Sequence, residues 1–370
     1  MNVASKHKAD TVFISLILII VVFGLVALTS ASGPSAYEKF GDSYFLLKRQ
    51  IVFGLLPGLV LFFLLSRYDY ERWKKLSWLI YGVTIVALLL VFLPNIGLTL
   101  NGARSWVNIG PYSFQPAEIA KLGVIMSTAY LLASKRFNLD DWQTGLIPVL
   151  AILFPPLLLI LLQPDIGTLS ILVVILFCML YVAKVPINYL IILGLLGVTV
   201  FGALIWSAPY RVERLTIFLH PELDPQGIGY HINQAFLAIG SGGFWGLGLG
   251  HSRQKFQYLP EVSADSIYAV MAEELGFVVA AGFIILILVI GWRGLRIAKH
   301  APDEFGSLIV VGVITWFVCQ SFLNIGAMVG IMPLTGVPLP FVSHGGSALA
   351  AALAGAGIIA NVSRQSNLNH

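Results

Sequence analysis

The sequence predicts an all-α polytopic integral membrane protein with about ten transmembrane helices. The 370-residue chain is 58% hydrophobic, only 11% of its residues are charged, and its mean hydropathy is +0.87, values that a soluble domain of this size does not reach. Mostly apolar runs of about 18 residues or more follow one another along most of the chain, and an α-helix needs a run of that length to cross a bilayer.

The apolar runs define the helices in order. The first run, Thr11 to Ser30, is long and lacks a small-residue cleavage site, so it is interpreted as a retained anchor rather than a signal peptide. Pro155 and Pro156 should kink the fifth helix and free backbone carbonyls. Cys178 and Cys319 lie inside apolar runs, where neither is placed to bind a metal. The predicted helices are about 11–31, 50–66, 74–94, 118–133, 145–162, 167–183, 187–206, 265–292, 305–330 and 340–362.

Basic residues in the short loops set the predicted orientation. Most of the 22 lysines and arginines fall on one side of the membrane, which the positive-inside rule makes cytoplasmic, with both termini inside. Three external segments are long enough to carry a functional site, namely 32–49, 95–117 and 207–264. The third lies between predicted helices 7 and 8, and we expect part of it to pack back on the membrane domain. The basic positions are Lys6, Lys8, the turn RYDYERWKK at 67–75, Lys135, Arg136, Lys184, the segment WRGLRIAKH at 292–300, and Arg364.

A cluster of carboxylates at the start of the eighth predicted helix is the first candidate site. The stretch YLPEVSADSIYAVMAEELGF, Tyr258 to Phe277, holds Glu261, Asp265, Glu273 and Glu274. Acids at membrane depth cost about 3 kcal/mol or more unless they are paired or hydrated. Asp265 is either an N-cap of this helix or a working acid at the outer face, where a helix N-terminus favours negative charge. For Glu273 and Glu274, pairing with a buried cation or polar residue is favoured over catalysis.

Two further polar segments lie on the external side. In NGARSWVNIGPYSFQPAEIAK, residues 101–121, Glu118 and Lys121 are spaced i, i+3 and can pair directly. That pair is either a structural clamp or, with Arg104, a binding site for an anionic group. In QPDIGT, residues 163–168, Asp165 is most simply a turn and capping residue.

A glycine-rich external stretch, residues 240–256, resembles a phosphate loop only superficially, because it lacks the GK[ST] ending. Its backbone N–H groups, with Lys255 nearby, could still bind a pyrophosphate. Arg211 and Arg214 add positive charge to the same external segment. The alternative is an ordinary interfacial loop with basic residues near the lipid headgroups. His344 is interpreted first as a packing residue.

Five of these segments, in this order, resemble the SEDS family (shape, elongation, division and sporulation), which includes FtsW, RodA and SpoVE. They span residues 101–348, and GLGLGHSRQKFQYLPE looks closer to FtsW than to RodA. The chain departs from the family pattern at LPEVSADSI, where the family usually reads LPEAHTDF, and at SHGGS, where it usually reads SYGGS. The segments are NGARSWVNIGPYSFQPAEIAK, QPDIGT, DPQGIGYHINQAFLAIGSGGFWGLGLGHSRQKFQYLPE, AEELGF and NIGAMVGIMPLTGVPLPFVSHGGSAL.

The resemblance implies one SEDS-type membrane domain over residues 1–370. It implies a peptidoglycan glycosyltransferase that polymerises lipid II into β-1,4 glycan strands for cell division or elongation. The family's essential acid follows its LPE motif by four residues, which is Asp265 here, and a carboxylate suits the role of base on the acceptor's GlcNAc 4-hydroxyl. Displacement of undecaprenyl diphosphate would be inverting, with cations stabilising the leaving group. The predicted substrate-binding residues are Lys121, Glu118, Arg104, Asp165, Arg211, Arg214, Lys255, Glu261, Ser343 and His344.

The resemblance also implies a location and partners. The location is the bacterial cytoplasmic (inner) membrane. The partners are lipid II, a class B penicillin-binding protein with transpeptidase activity, and other division or elongation membrane proteins; nucleic acid is not expected. A divalent cation, Mg²⁺ or Mn²⁺, could assist the leaving group, and no other cofactor is expected. Two other functions stay open. One is a lipid II flippase, because intramembrane acids and broken helices suit transport. The other is a non-catalytic scaffold, which would tolerate Asp265→Asn.

Overall fold

A computed structural model describes residues 8–100, 103–109, 112–134 and 136–366. Lys6 and Lys135 of the charge-based topology, and residues 101–102 and 110–111 of the polar segment at 101–121, lie outside the described residues.

The described residues form long helices and one small sheet. The α-helices are α1 (Thr11–Phe40), α2 (Phe45–Gln50), α3 (Leu56–Arg67), α4 (Tyr70–Leu90), α5 (Pro116–Leu132), α6 (Ile147–Leu162), α7 (Ile166–Val182), α8 (Ile187–Trp206), α9 (Pro209–Leu219), α10 (Ile228–Gly242), α11 (Ile267–Lys299), α12 (Glu304–Met328) and α13 (Gly346–Gln365). The strands are β1 (Gly97–Leu100), β2 (Ala103–Ile109) and β3 (Tyr112–Phe114). Short π-helical turns, Ile51–Leu55 and Trp142–Leu146, lead into α3 and α6, and a 3-10 turn, Pro221–Leu223, follows α9.

Each of the ten predicted membrane helices coincides with a helix in the structure. Within the described ranges, eight helices are long and apolar enough to cross a membrane, which confirms the all-α polytopic class. The other two, α5 and α7, have 17 residues each, so the number of ten crossings stays a prediction. Some boundaries were wrong: α1 continues to Phe40, and the last helix begins at Gly346 rather than near residue 340.

Local chemistry explains how α1 begins and how α6 accommodates its two prolines. Asp10 caps α1 by accepting the Phe13 N–H at 2.8 Å, as expected for an N-cap aspartate. Pro155 and Pro156 lie inside α6, and the predicted kink there stays a prediction. Proline has no N–H to donate to the carbonyl four residues earlier, and the freed Ile152 carbonyl instead accepts the Tyr81 hydroxyl at 2.6 Å.

The core lies between α12, α13 and the helices around them, whereas α8 stays at the periphery. In an 18-residue stretch of α12 and of α13, 72% and 78% of residues are buried, against 6% in such a stretch of α8. Glycines let α3 and α13 approach closely: a Cβ on Gly58 would lie 2.6 Å from Leu353, and one on Gly357 would lie 2.7 Å from the Phe62 carbonyl. Small residues of this kind are typical of packed membrane helices.

The two termini of the described chain meet at one end of the bundle. The Asp10 N–H donates to the Ser363 hydroxyl at 3.0 Å, and the Asp10 carboxylate pairs with Arg293 at 2.7 Å. This end therefore gathers the start of α1 and the last turns of α11 and α13. Because α11 crosses the bundle, its first residue and the preceding loop lie at the opposite end.

That opposite end carries structure that the sequence did not predict. Segment 95–117 was predicted only as an external segment, but it contains an antiparallel sheet of order β1-β2-β3. Segment 207–264 contains α9 and α10. Helix α10 packs against α11 and α12, which confirms that part of the long segment folds back on the helical domain.

Helix α11 is interrupted, which corrects the prediction of one continuous helix over 265–292. Gly276 has φ 74° and ψ 179°, a backbone conformation that favours glycine. The interruption exposes backbone groups, and a chain segment from the long loop binds them. The Leu247 N–H donates to the Glu273 carbonyl at 3.0 Å, and the Phe277 N–H donates to the Gly243 carbonyl at 2.8 Å. Helix α11 is therefore divided at Gly276 into a short first part, which follows Asp265, and a longer second part, which ends at Lys299.

Candidate active site

Asp265 lies just before α11, and burial shifts the pKa of its carboxyl upward. The N-cap position of α11 is Ser266, and no side chain caps that helix start, so the capping role considered for Asp265 is wrong. The residue is partly buried, and its Oδ1 atom is fully buried without a hydrogen-bond partner. The pKa of the Asp265 carboxyl is raised to about 7, mainly by burial and also by the charge of Glu261, while a hydrogen bond from its own backbone and the charge of Arg214 oppose the shift. Desolvation disfavours the charged carboxylate.

The backbone around Asp265 is held by hydrogen bonds, although the Oδ1 atom of its side chain has no hydrogen-bond partner. Ser263 O accepts the His344 N–H at 2.7 Å, and Ala264 O accepts the Ser343 hydroxyl in a short hydrogen bond. The Asp265 carbonyl accepts the Asn324 amide at 2.9 Å. Three successive carbonyls therefore have donors from α12 and from the turn before α13, which fixes the course of the segment.

A second set of contacts holds the other side of this segment. The Ser266 hydroxyl donates to the Pro260 carbonyl at 2.7 Å, and the His231 Nε2 lies 2.6 Å from the same hydroxyl oxygen. Because the Ser266 proton is already used, the oxygen can accept the His231 Nε2–H. Burial lowers the pKa of His231 to about 4, which is consistent with a neutral ring.

The turn that carries Ser343 and His344 is itself anchored to the second membrane segment. The buried Gln50 side chain donates to the Ser343 carbonyl at 3.2 Å and accepts the Gly345 N–H at 2.9 Å. Burial, with the positive charge of Arg49, lowers the pKa of His344 to about 4. His344 therefore lies beside the Asp265 segment as a neutral side chain.

The Glu118–Lys121 pair is internal. The Lys121 ammonium is fully buried and lies 2.8 Å from Glu118 and 2.6 Å from the Gln320 oxygen. It also lies 4.8 Å from the centre of the Trp316 ring. The interpretation as a clamp is thus the one that this geometry favours, because substrate contact would require the ammonium to leave these partners.

Lys255 and the two deeper glutamates form another internal network. Lys255 pairs with Glu274 at 2.7 Å, with side chains only 4% and 3% exposed, and Ser30 donates to the same carboxylate at 2.6 Å. Glu273 accepts the Ser252 hydroxyl at 2.5 Å and the Arg253 N–H at 2.9 Å. Both glutamates therefore have the polar or cationic partners predicted for them, and Lys255 does not face an open site.

Of the remaining candidates, Asp165 lies near enough to Lys121 to act on it electrostatically, whereas Arg104 lies beside the sheet. Asp165 caps α7 by accepting the Thr168 N–H at 2.9 Å, and Gln115 donates to its other oxygen at 3.2 Å. Arg104 donates to the Leu93 carbonyl at 2.9 Å beside the sheet. In the residues that the structure describes, no group of three or more His, Cys, Asp or Glu side chains could hold a metal ion. A helper Mg²⁺ or Mn²⁺ stays a prediction.

Helix α9 carries the two candidate arginines of the long loop. Arg211 donates to the Leu204 carbonyl at 2.7 Å and to the Tyr210 hydroxyl at 2.9 Å, across the corner between α8 and α9. Arg214, one turn later, is partly buried and acts electrostatically on Asp265. The structure thus gathers Glu261, Arg214, Ser343 and His344 around Asp265 and leaves the other candidates in networks of their own.

Several contacting residues were missed by sequence reasoning. Gln320 and Asn324, spaced i, i+4 on α12, and Gln50 each hold backbone near the site. Amide side chains inside apolar membrane helices are costly unless they are hydrogen-bonded. The sequence therefore indicates that these amides have hydrogen-bond partners inside the protein. His231 and Ser266 lie 35 residues apart, and no local pattern predicts their contact.

Comparison with known proteins gives consistent matches along the whole chain. Residues 10–368 match the family model described as cell cycle protein, FtsW/RodA/SpoVE. The chain is 41% identical over 361 residues to stage V sporulation protein E of Bacillus subtilis (strain 168), covering 98% of each. It is 36% identical over 354 residues to a protein of Geobacter sp. (strain M18) named "Probable peptidoglycan glycosyltransferase FtsW", covering 96% of each. The relatives thus include a sporulation protein as well as a protein named FtsW.

Solved structures match the fold as well. One is a chain from a study titled "Structural coordination of polymerization and crosslinking by a peptidoglycan synthase complex", with a TM-score of 0.78, 31% identity, and coverage of 96% of this chain and 98% of that one. Another is the rod shape determining protein RodA of Thermus thermophilus, with a TM-score of 0.71, 31% identity, and coverage of 97% and 98%.

Proposed function

Because the chain belongs to the FtsW/RodA/SpoVE family of cell cycle proteins, we propose that it is a peptidoglycan glycosyltransferase. Its substrate is lipid II, which it polymerises into β-1,4 glycan strands at the outer face of the cytoplasmic membrane. The observation that carries this proposal is the Asp265 carboxyl, which is raised in pKa and lacks a partner on Oδ1 while its backbone is fixed.

Asp265 acts as the general base. Its carboxylate takes the proton from the GlcNAc 4-hydroxyl of the acceptor as the hydroxyl oxygen attacks the anomeric carbon of the donor. The bond from that carbon to the diphosphate oxygen breaks, and undecaprenyl diphosphate leaves with the bonding pair. Attack opposite the leaving group inverts an α-linked donor to a β-1,4 product. One carboxyl suffices, because the diphosphate departs without a proton, and Asp265 then releases its proton to water.

Cationic side chains stabilise the charge on the departing diphosphate. Arg214 is the first candidate, since it already acts on Asp265, followed by Arg211 on the same helix and Arg104 beside the sheet. Lys121 and Lys255 serve as internal anchors instead, because both ammonium groups are buried against carboxylates.

The protein lies in the cytoplasmic membrane with both termini in the cytoplasm. The contact between Asp10 and Ser363 supports termini on the same side, as an even number of crossings requires. A class B penicillin-binding protein is the proposed partner, which supplies transpeptidation. This is supported by the similarity to a chain of a peptidoglycan synthase complex that couples polymerisation with crosslinking.

The test is glycan-strand synthesis from fluorescent lipid II by the purified protein with its penicillin-binding partner. Wild type is compared with Asp265→Asn and with Asp303→Asn. Asp303 is also an acid at a helix start, but it caps α12 by accepting the Gly306 N–H at 2.9 Å. That helix start follows the last residues of α11, at the opposite end of the bundle from Asp265.

Polymer from wild type and Asp303→Asn, with none from a folded Asp265→Asn protein, is the expected result. Polymer from Asp265→Asn at the wild-type rate would move the base elsewhere, with Glu261 or Asp165 next to be tested. No polymer from any variant would contradict the glycosyltransferase proposal, and a lipid II flipping assay would then test transport.

A further inference from the structure

Asn324 joins the Asp265 backbone to the chain segment that precedes the last helix. Its side chain is 2% exposed, and its Nδ2 donates to the Asp265 carbonyl at 2.9 Å and to the Val337 carbonyl at 2.8 Å. An amide nitrogen carries two hydrogens, so both are used. A single side chain on α12 thus bridges two segments that are far apart in sequence.

The chain segment at the Val337 end of this bridge is itself held by hydrogen bonds. The two residues after Val337 are also held: the Pro338 carbonyl accepts the Gln320 amide at 2.7 Å, and the Leu339 N–H donates to the Ser343 oxygen at 2.8 Å. The asparagine amide therefore connects the acid's backbone to a fixed part of the fold rather than to a loose loop.

The carbonyls of Ser263, Ala264 and Asp265 each accept a hydrogen bond, and Asn324 is the donor to the carbonyl of Asp265 itself. The donors to Ser263 and Ala264 belong to the turn at 343–344. Asp265 Oδ1 has no hydrogen-bond partner of its own to hold the carboxyl in place. The orientation of the carboxyl therefore depends on how its backbone is held.

We propose that Asn324 is a positioning residue, which holds the Asp265 carboxyl where it can deprotonate the acceptor hydroxyl. This inference rests on the proposed function of Asp265 as the base. A displacement of about 1 Å in a catalytic group can cost about 100-fold in rate. Loss of the amide donor should therefore reduce turnover more than substrate binding.

The chain offers a matched control at the other end of the bundle. Asn361 on α13 is 3% exposed, and its Nδ2 likewise donates to two backbone carbonyls, those of Leu65 at 2.7 Å and Tyr68 at 2.5 Å. Asn324→Leu and Asn361→Leu therefore remove the same kind of buried bridge. Only the first removes it from the Asp265 segment.

Steady-state kinetics with lipid II and hydrogen–deuterium exchange are measured on both variants. We expect kcat of Asn324→Leu to fall about 10- to 100-fold with KM within about twofold, the pattern of a lost transition-state interaction. Asn361→Leu should keep the wild-type kcat per folded molecule. Amide exchange in the peptide 259–266 should become faster in Asn324→Leu alone. Asn324→Ala also removes the donor hydrogens without adding a charge, and it replaces the leucine variant if that protein does not fold.

A wild-type kcat in folded Asn324→Leu, or equal losses in both variants, would overturn the positioning role. Unchanged exchange in 259–266 would overturn it as well. A wild-type protein that makes no polymer would contradict the proposed function instead. The exchange comparison distinguishes this case, because it reports on the contact without any turnover.

Discussion

The pH dependence of polymerisation should follow the Asp265 carboxyl. A base must be ionised to accept a proton, so kcat/KM should rise with pH through the pKa of about 7 that burial produces. At pH 6 about one-tenth of such carboxyls are ionised, and at pH 5 about one-hundredth. The predicted rate therefore falls by about 50-fold from pH 7 to pH 5. An aspartate with an ordinary pKa, near 3.8, would remain more than about nine-tenths ionised over this range.

The perturbation that tests this reasoning is Glu261→Gln. The negative charge of Glu261 raises the pKa of Asp265, so its removal should lower that pKa and move the acid limb of the profile to lower pH. The Glu261 side chain is exposed, and the neutral replacement has nearly the same shape. Asp303→Asn, which removes a carboxylate at the opposite end, should leave the profile where it is in wild type.

The assay is the initial rate of strand synthesis from fluorescent lipid II between pH 5 and pH 8.5. It is run at substrate concentrations well below KM, so that the rate reports kcat/KM. A flat profile between pH 6 and pH 8 would refute the assignment of Asp265 as a base of raised pKa. A midpoint in Glu261→Gln that stays in place or moves upward would refute the electrostatic part. If the profile of Asp303→Asn shifted as much as that of Glu261→Gln, the electrostatic effect assigned to Glu261 would also be refuted.

Two further predictions concern stability. Glu274→Gln leaves the Lys255 ammonium buried without its carboxylate, which should cost about 3–5 kcal/mol; thermal unfolding in detergent should show this, and Lys255→Met in the same chain should restore much of the loss. An unfolding temperature like that of wild type in the single variant would contradict the pairing. Gly276→Ala should cost about 1–3 kcal/mol from its positive φ alone, and its Cβ would also lie 2.6 Å from the Phe244 carbonyl. Gly282→Ala, where nothing lies within 4 Å of the added atom, should unfold close to wild type; equal losses in both glycine variants would contradict the argument.

Sequence patterns predicted the features that depend on local composition. Runs of apolar residues gave the helices, because a bilayer demands length and apolarity of any helix that crosses it. The motif around Asp265 predicts the candidate acid, and an acid within so apolar a stretch predicts a buried partner for Glu274. Each of these signals lies within about one helical turn or one membrane span of sequence.

The features that were missed depend on contacts between distant segments. The sequence around Gly276 reads as a continuous apolar helix, and glycine is common in membrane helices. Its interruption becomes stable only because Leu247 and Gly243 bring backbone partners from the long loop. The hydrogen bond from Asn324 to the Asp265 carbonyl joins residues that are 59 apart in sequence. The spacing of Asn324 from Gln320 indicates only that both amides lie on one side of a helix.

The unequal packing of α8 and α13 has a consequence for how this sequence can change. Side chains of α8 are mostly left uncovered by the rest of the protein, since only 6% of an 18-residue stretch of this helix is buried. Its positions should therefore accept almost any apolar residue in a mutational scan. Helix α13 is 78% buried over such a stretch, and sites such as Gly357 lie against the backbone of α3. A methyl group added at Gly357 would meet main-chain atoms of Phe62, which no substitution on α3 can remove. Over evolutionary time, α8 can therefore vary widely among apolar residues, while Gly357 should remain glycine.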